Sequence, residues 1–464
     1  MTSLPNITPE RVFPILNKHI LVDGFDGMVI DLKKSQGSYI FDSLKNRRYL
    51  DLFSFFATAP IGHNHPDMLK EDFKEKILNV AIMKPSNSDF YTVEMAEFVE
   101  LFSKYAIPEG LPNLFLISGG ALAVENALKA AFDWKVRKNF AKGYKQEKGT
   151  QIMHFKQAFH GRTGYTLSLT NTADPRKTKY YPKFNWPRIT NPKIRFPMTA
   201  DHLEKVAALE KQALAEMKAA VHENPDDIAA ILIEPIQGEG GDNHFRKEFL
   251  QQLRTFADEN DILLIFDEVQ TGVGLTGKMW CFQHFGMQPD MITFGKKTQV
   301  CGFLCSDRIH EVADNVFKEA SRINSTWGGN LVDMVRFGQY LQIIDRENLI
   351  ENAKNIGEYF LRQLQNLEQE FADHICNVRG RGLMIAFDLP DETFRNHFLY
   401  KLFENGSIAL TCGHASIRFR PALNITREFV DEAMSIVTRS LEEVLHENGE
   451  PTAAKVEDKA QFEL

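Results

Sequence analysis

The sequence predicts an α/β fold: a large domain on a mostly parallel sheet covered by helices, plus a smaller α+β domain. Three observations predict the layout. Short runs that are apolar throughout, such as LFLIS, IAAILIEPI and ILLIFDEV, alternate with longer amphipathic stretches; strands buried on both faces and separated by helices form parallel sheets. Ser118, Glu234, Asp267 and Lys296 stand at the ends of such runs, where ligands of these sheets bind. After Trp327 the pattern changes to long helices interleaved with a few short strands.

Residues up to about Asp51 read as short strands and turns, punctuated by Gly24, Gly27 and Gly37. IGHNHP, from Ile61 to Pro66, is a turn into a helix. Its two histidines read as a turn that caps the helix and not as a metal site, because no third ligand lies nearby. Leu114 to Ser118 is a strand, and the helix behind it carries Ala121, Val124, Leu128 and Ala131 on one face. Thr150 to Phe155, Ile228 to Ile236 and Ile262 to Phe266 are further strands, with a helix around Glu248 to Glu259 and another apolar stretch from Met291 to Phe294. Helices Asn330 to Asp345 and Asn352 to Phe371 precede a strand, RGRGLMIAFDL; a helix, the strand Ser416 to Leu423 and a last helix from Thr426 follow. The expected organisation is an N-terminal segment, 1–65, that joins the small domain; a large domain, 66–330; a small C-terminal domain, 331–447; and a loose tail, 448–464.

Composition excludes several classes. The 464 residues are 43% hydrophobic and 25% charged, which suffices for a large soluble core. A net charge of −8 and no long Lys/Arg block argue against nucleic acid. The odd, sparse set of Cys281, Cys301, Cys305, Cys376 and Cys412 fits a reducing compartment, and Cys301 and Cys305 lack a second pair for zinc. No apolar run spans a membrane, and the start, MTSLPNITPERVF, has no signal or transit character. The expectation is a cytoplasmic protein without a metal.

The chemistry centres on residues 265–301. Asp267 ends one apolar strand, and Lys296 and Lys297 end another. A buried carboxylate must be paired; a desolvated amine becomes a nucleophile. An acid that keeps a ring nitrogen protonated, beside a lysine that forms an imine with an aldehyde, is what pyridoxal phosphate requires. From a fixed backbone only one of the two lysines can face that pocket, and chemistry alone does not choose. The turn Ser118-Gly119-Gly120-Ala121 opens a helix whose N-terminus suits an anion. Phe159 can stack on a planar ring and Arg162 can clamp a carboxylate, although a core aromatic and a solvated arginine are the commoner outcomes for each alone. Arg418 and Arg420 share a strand face, and Glu239 lies in a Gly-rich loop, GEGG.

IGHNHP, SGGALAVENALK, FHGR, EPIQGEGG, FDEVQTG, PDMITFGK and IRFRPAL, in this order and spacing, resemble the class III, or ornithine-type, aminotransferases of fold type I. The match covers most of the chain. GGALAVENALKAAFDWK, FGKKTQVCG and NSTWGGN are most similar to a subgroup that acts on the terminal amine of L-lysine. Gly120 and Ala121 stand where many members have Ser/Thr followed by an acid.

The resemblance implies the following roles. Lys296, selected by its spacing from Asp290, holds pyridoxal phosphate, and Asp267 pairs with the pyridine nitrogen. Val269 and Phe159 cover the two ring faces, Gln270 bonds the phenolic oxygen, and Gly120 and Ala121 bind the phosphate. Thr326 reaches in from a partner subunit, which implies a homodimer with shared sites; Asn324 belongs to the substrate site. Arg162 binds the carboxylate of lysine far from the reacting amine and the distal carboxylate of 2-oxoglutarate. Arg418 binds the carboxylate beside the keto group of 2-oxoglutarate. Glu239 pairs with Arg418 when lysine is bound and swings away for the second substrate, since a buried unpaired arginine is costly. The implied activity is ping-pong transfer of the lysine terminal amine to 2-oxoglutarate. Another ω-aminotransferase of the class, acting on ornithine, 4-aminobutyrate or a diamine, or a racemase on the same scaffold, stands as the alternative.

Overall fold

The computed structural model describes residues 6–24 and 27–448. The expected loose tail lies outside these residues except for Asn448.

A seven-stranded sheet forms the centre, in the order Asn113–Ile117, Cys301–Cys305, Met291–Phe294, Leu263–Asp267, Ile228–Ile233, Gln151–Phe155, Arg188–Ile189. Cys301–Cys305 runs antiparallel to both its neighbours; the other adjacent pairs are parallel. Ile228–Ile233 is buried at every position, as a strand covered on both faces must be. Covering helices follow from periodicity. In Lys247–Glu259 the buried residues are Phe249, Leu250, Leu253, Phe256 and Ala257, the stripe of a helix with one face on a core. The long helix Gly120–Ala141 buries Val124, Leu128 and Ala131 on the face expected.

The run Ile228 to Ile236 is broken after Ile233. Ile236–Gln237 pairs instead with Asn243–His244 in a two-stranded ribbon, whose connection carries Glu239. The segment RGRGLMIAFDL is likewise two strands. Cys376–Arg381 and Met384–Asp388 pair antiparallel, turning at Gly382, whose φ is +57°. A Cβ at Gly382 would lie 2.5 Å from the Leu275 carbonyl oxygen, so glycine is required by both conformation and space. With Ser416–Phe419 and Leu410–Cys412 these strands make a four-stranded sheet, against which Leu349–Glu370 packs.

The N-terminal strands Tyr39–Asp42 and Arg47–Asp51 form a three-stranded sheet with Ser407–Ile408, which ties the two ends of the chain together. A short helix, Val12–Leu16, precedes them where only strands and turns were expected. Leu331–Arg346, expected to begin the C-terminal unit, packs Phe337 against Phe98 and Phe102 of Val93–Tyr105. Ser54, Phe55, Phe56 and Ala57 all have positive φ, between 41° and 63°. Such a left-handed run of residues with side chains costs roughly 1–2 kcal/mol per residue. It is held by Asp51 Oδ1, which accepts from the Phe53 and Ser54 N–H groups, and by Ser54 Oγ, which donates to the Arg420 carbonyl.

Candidate active site

Asp267 is the last residue of its strand and sits in register with Thr293 on the next. Lys296 follows the end of that next strand, so the structure brings the acid and the lysine to adjoining strand ends. The buried Asp267 carboxylate is oriented at both oxygens. Oδ1 accepts from Val269 N at 3.1 Å and Thr293 Oγ1 at 3.1 Å. Oδ2 lies 2.8 Å from His160 Nδ1, and the other ring nitrogen of His160 is buried without a partner.

Lys296 and Lys297 part company. Lys297 Nζ donates to the Gln270 carbonyl at 2.7 Å inside the protein. Lys296 has a φ of 54°, a conformation that carries strain in a residue with a side chain. Gln299 Nε2 braces this turn by donating to the carbonyls of Lys296 and Thr58. Burial first, and then the nearby Arg418 guanidinium, push the Lys296 amine down to about 8, opposed by Asp267 and Glu234. Burial also lowers Lys297, whose amine is committed to the Gln270 carbonyl.

Glycines draw the walls together. A Cβ on Gly120, the first residue of its helix, would lie 3.2 Å from Val269 Cγ1; one on Gly295 would meet the same methyl at 3.4 Å. Gly161, at φ +120°, abuts Ala121, where a Cβ would come within 2.5 Å. The FHGR loop, the helix N-terminus, Val269 and Lys296 therefore share one small region. Buried Glu234 fixes the loops on either side: Oε1 accepts from Phe159 N and Oε2 from Gly238 N. Burial raises its carboxyl to about 7.

Gln270 Oε1 accepts from Arg420 Nε at 3.1 Å, Arg420 Nη2 at 2.9 Å and Arg418 Nη1 at 3.3 Å. Three guanidinium donors on the oxygen set the amide orientation and leave Nε2 to donate elsewhere. Arg420 also pairs with buried Asp242. It is the clamp that sets Gln270, whereas Arg418 keeps Nε buried and unpartnered. Burial lowers the Arg418 guanidinium below its ordinary range.

The expected Glu239–Arg418 ion pair is not formed in this arrangement. Glu239 Oε1 instead accepts from Thr172 Oγ1 at 2.5 Å and Lys177 Nζ at 2.9 Å. Arg162 is exposed, with no partner for its side chain among the described residues. Asn324 and Thr326 are also exposed, on a loop held to residues 86–88 through Ser86, Asn87 and Ser88. Within one chain, then, the structure gathers Asp267, Lys296, Gln270, Arg418 and the glycine-rich walls, and leaves Arg162, Asn324 and Thr326 facing outward. Two carboxylates, Asp67 and Glu347, do lie beside His65, contrary to the expectation of no third ligand. Asp67 is already paired with Lys70 and Arg346, and Glu347 with Arg346, so the chain's own cations neutralise the cluster.

The family model for class III aminotransferases matches residues 22–441. The chain belongs to the class III aminotransferases. This aminotransferase is 49% identical over 94% of its length to the L-lysine-epsilon aminotransferase of Mycobacterium tuberculosis, covering 96% of that protein. It is 46% identical to the Streptomyces clavuligerus protein of that name, over 94% of this chain and 95% of the other. The solved structure of lysine aminotransferase from M. tuberculosis superposes with a TM-score of 0.92 at 49% identity, covering 94% of this chain and 100% of that one.

The class is dependent on pyridoxal phosphate, and so is this aminotransferase. Its residues fit the cofactor. The low Lys296 amine, the oriented Asp267 carboxylate, the available Gln270 Nε2 and the glycine-lined helix N-terminus match an aldehyde, a ring nitrogen, a phenolic oxygen and a phosphate. Sequence reasoning missed Thr172 and Lys177, and named His160 and Arg420 without finding their roles. His160 stands in the quoted FHGR, but its partner Asp267 is 107 residues away, and no local pattern links them.

Proposed function

We propose that this aminotransferase moves the terminal amine of L-lysine to 2-oxoglutarate. The products are L-glutamate and 2-aminoadipate 6-semialdehyde, which cyclises to piperideine-6-carboxylate through its own α-amine. The observation that carries the reading is the contrast in likeness: 46–49% identity to proteins named for lysine, against 31% to a probable 4-aminobutyrate aminotransferase of Caenorhabditis elegans.

Pyridoxal phosphate supplies an aldehyde for the incoming amine and a ring that draws electrons from the adjoining carbon. Lys296 holds it and afterwards accepts the proton from Cε of the bound lysine at Nζ, a task suited to an amine near 8. Asp267, oriented by His160, keeps the ring nitrogen protonated. Phe159 and Val269 keep water from the ring faces, Gln270 donates through Nε2, and the N–H groups of Gly120 and Ala121 receive the phosphate. Arg162 orients the lysine carboxylate, while Arg418 receives the carboxylate beside the keto group of 2-oxoglutarate. Glu239 neutralises Arg418 when lysine occupies the site, and Asn324 lines the substrate side.

Thr326 acts on the partner's site in a cytoplasmic homodimer. Supporting this, the loop that carries it lies beside exposed apolar residues: Met83, Phe90, Tyr91 and Trp327 are 68%, 72%, 80% and 47% exposed, and Lys84 lies over the Trp327 ring. Patches of this kind mark interaction surfaces.

The substrate reading is tested by supplying holoenzyme with 2-oxoglutarate and lysine, ornithine or 4-aminobutyrate separately and following glutamate. Glutamate is expected chiefly with lysine; more with either rival would overturn the reading.

A further inference from the structure

We propose that Lys177 and Thr172 form a latch that holds Glu239 away from Arg418 and so prepares the site for a dicarboxylate. The inference rests on the roles of Glu239 and Arg418 given above and adds the residues that compete for the moving carboxylate.

Glu239 Oε1 accepts from Thr172 Oγ1 at 2.5 Å and Lys177 Nζ at 2.9 Å. The Lys177 and Glu239 side chains are only 19% and 18% exposed, so this charged bond is partly shielded from water and stronger than a surface pair. The other oxygen, Glu239 Oε2, is buried without a partner, as is Arg418 Nε. A carboxylate oxygen and a guanidinium N–H are thus both buried and unsatisfied in one site, a costly condition. Lys177 and Thr172 hold the first apart, and a substrate carboxylate satisfies the second.

The backbone around Glu239 is fixed, so the exchange belongs to the side chain. The Glu239 carbonyl accepts from Gly413 N at 2.8 Å, and Gly240 packs so tightly that a Cβ there would lie 1.9 Å from the Gln157 carbonyl oxygen. The latch is itself a small built unit. Asp174 N donates to Thr172 Oγ1, and Asp174 Oδ1 accepts from Arg176 N at the start of the turn that presents Lys177. One carboxylate therefore has two alternative cationic partners, Lys177 and Arg418. With Lys177, Arg418 is open to 2-oxoglutarate; with Arg418, the site suits a substrate that has no carboxylate there. Lys177 is a positioning residue that sets the balance between the two substrates.

The test compares wild-type holoenzyme with Lys177→Met, Thr172→Val and the conservative Lys177→Arg. The rates of the two half-reactions are measured separately, and the binding of glutarate, an unreactive dicarboxylate, is measured by calorimetry. Lys177→Met is expected to weaken glutarate and raise the KM for 2-oxoglutarate about tenfold, the loss of one charged hydrogen bond, without slowing the lysine half-reaction. Thr172→Val moves both in the same direction by less, and Lys177→Arg restores them. Equal slowing of both half-reactions, an unchanged glutarate affinity, or slowing of the lysine half alone would overturn the latch. Failure of the wild type to use lysine would strike the substrate reading alone, because the glutarate comparison still decides the latch.

Discussion

His160 Nδ1 lies 2.8 Å from Asp267 Oδ2, and both side chains are almost wholly buried. The bond reaches across 107 residues and joins the FHGR loop to the strand end that faces Lys296. It fixes the carboxylate oxygen that Val269 and Thr293 leave untouched. His160→Phe is expected to lower kcat by about 10- to 100-fold, the worth of one charge-assisted hydrogen bond, with a weaker hold on pyridoxal phosphate in equilibrium dialysis. Wild-type kcat and retention would show that Asp267 needs no such support.

The Lys296 amine, held near 8 rather than 10.5, sets a pH signature. Below about 8 it is protonated and cannot attack an aldehyde; above, it is free. The rate at which cofactor-free protein takes up pyridoxal phosphate is expected to rise with pH through about 8 and then level. Borohydride reduction and peptide mapping should place the label on Lys296, with Lys297→Ala still labelled. A rate still climbing at the ordinary lysine value, or a label on Lys297, would contradict the assignment.

How much of this was legible in the sequence depends on the range of the interaction. The strand ends at Asp267 and Lys296 were visible because apolar runs stop at a charged residue. Gly120 and Ala121 were visible because small residues precede a helical stripe. The breaks after Ile233 and at Gly382 were read through, although Glu234-Pro235 and Gly382 interrupt the runs there; a new partner separates the first pair of strands and a positive φ turns the second. The His160, Arg420 and Lys177 contacts depend on tertiary proximity, which periodicity does not encode. Lys296 could not be told from Lys297 by chemistry; the distinction lies in the bond from Lys297 to the Gln270 carbonyl.

Glu268 shows how an acid in the same motif can be structural. Its carboxylate accepts from Thr271 Oγ1, Cys281 N and Phe282 N, and burial raises it to about 7 from an ordinary 4.5. A folded value above the unfolded one stabilises the fold at low pH, a contribution lost as pH rises through about 7. Glu268→Gln, which does not titrate, should therefore flatten the wild-type fall in urea stability between those values. Glu268→Ala should cost about 2–4 kcal/mol at low pH by stranding two buried N–H groups. Parallel pH profiles for wild type and Glu268→Gln would refute the assignment.

On the proposed reading, Thr326 and the exposed apolar residues near it face a second copy. Sedimentation is expected to give a dimer. Phe90→Asp combined with Tyr91→Arg should shift it toward monomer and lower activity in parallel. A fully active monomer would contradict shared sites.

The central claim is transfer of the terminal nitrogen of lysine. Its most direct test is to supply holoenzyme and 2-oxoglutarate with lysine labelled with heavy nitrogen at either the ε or the α position, then weigh the glutamate formed. The label is expected in glutamate from ε-labelled lysine and absent from the α-labelled reaction. Label arriving from the α position, or no glutamate from lysine at all, would contradict the claim.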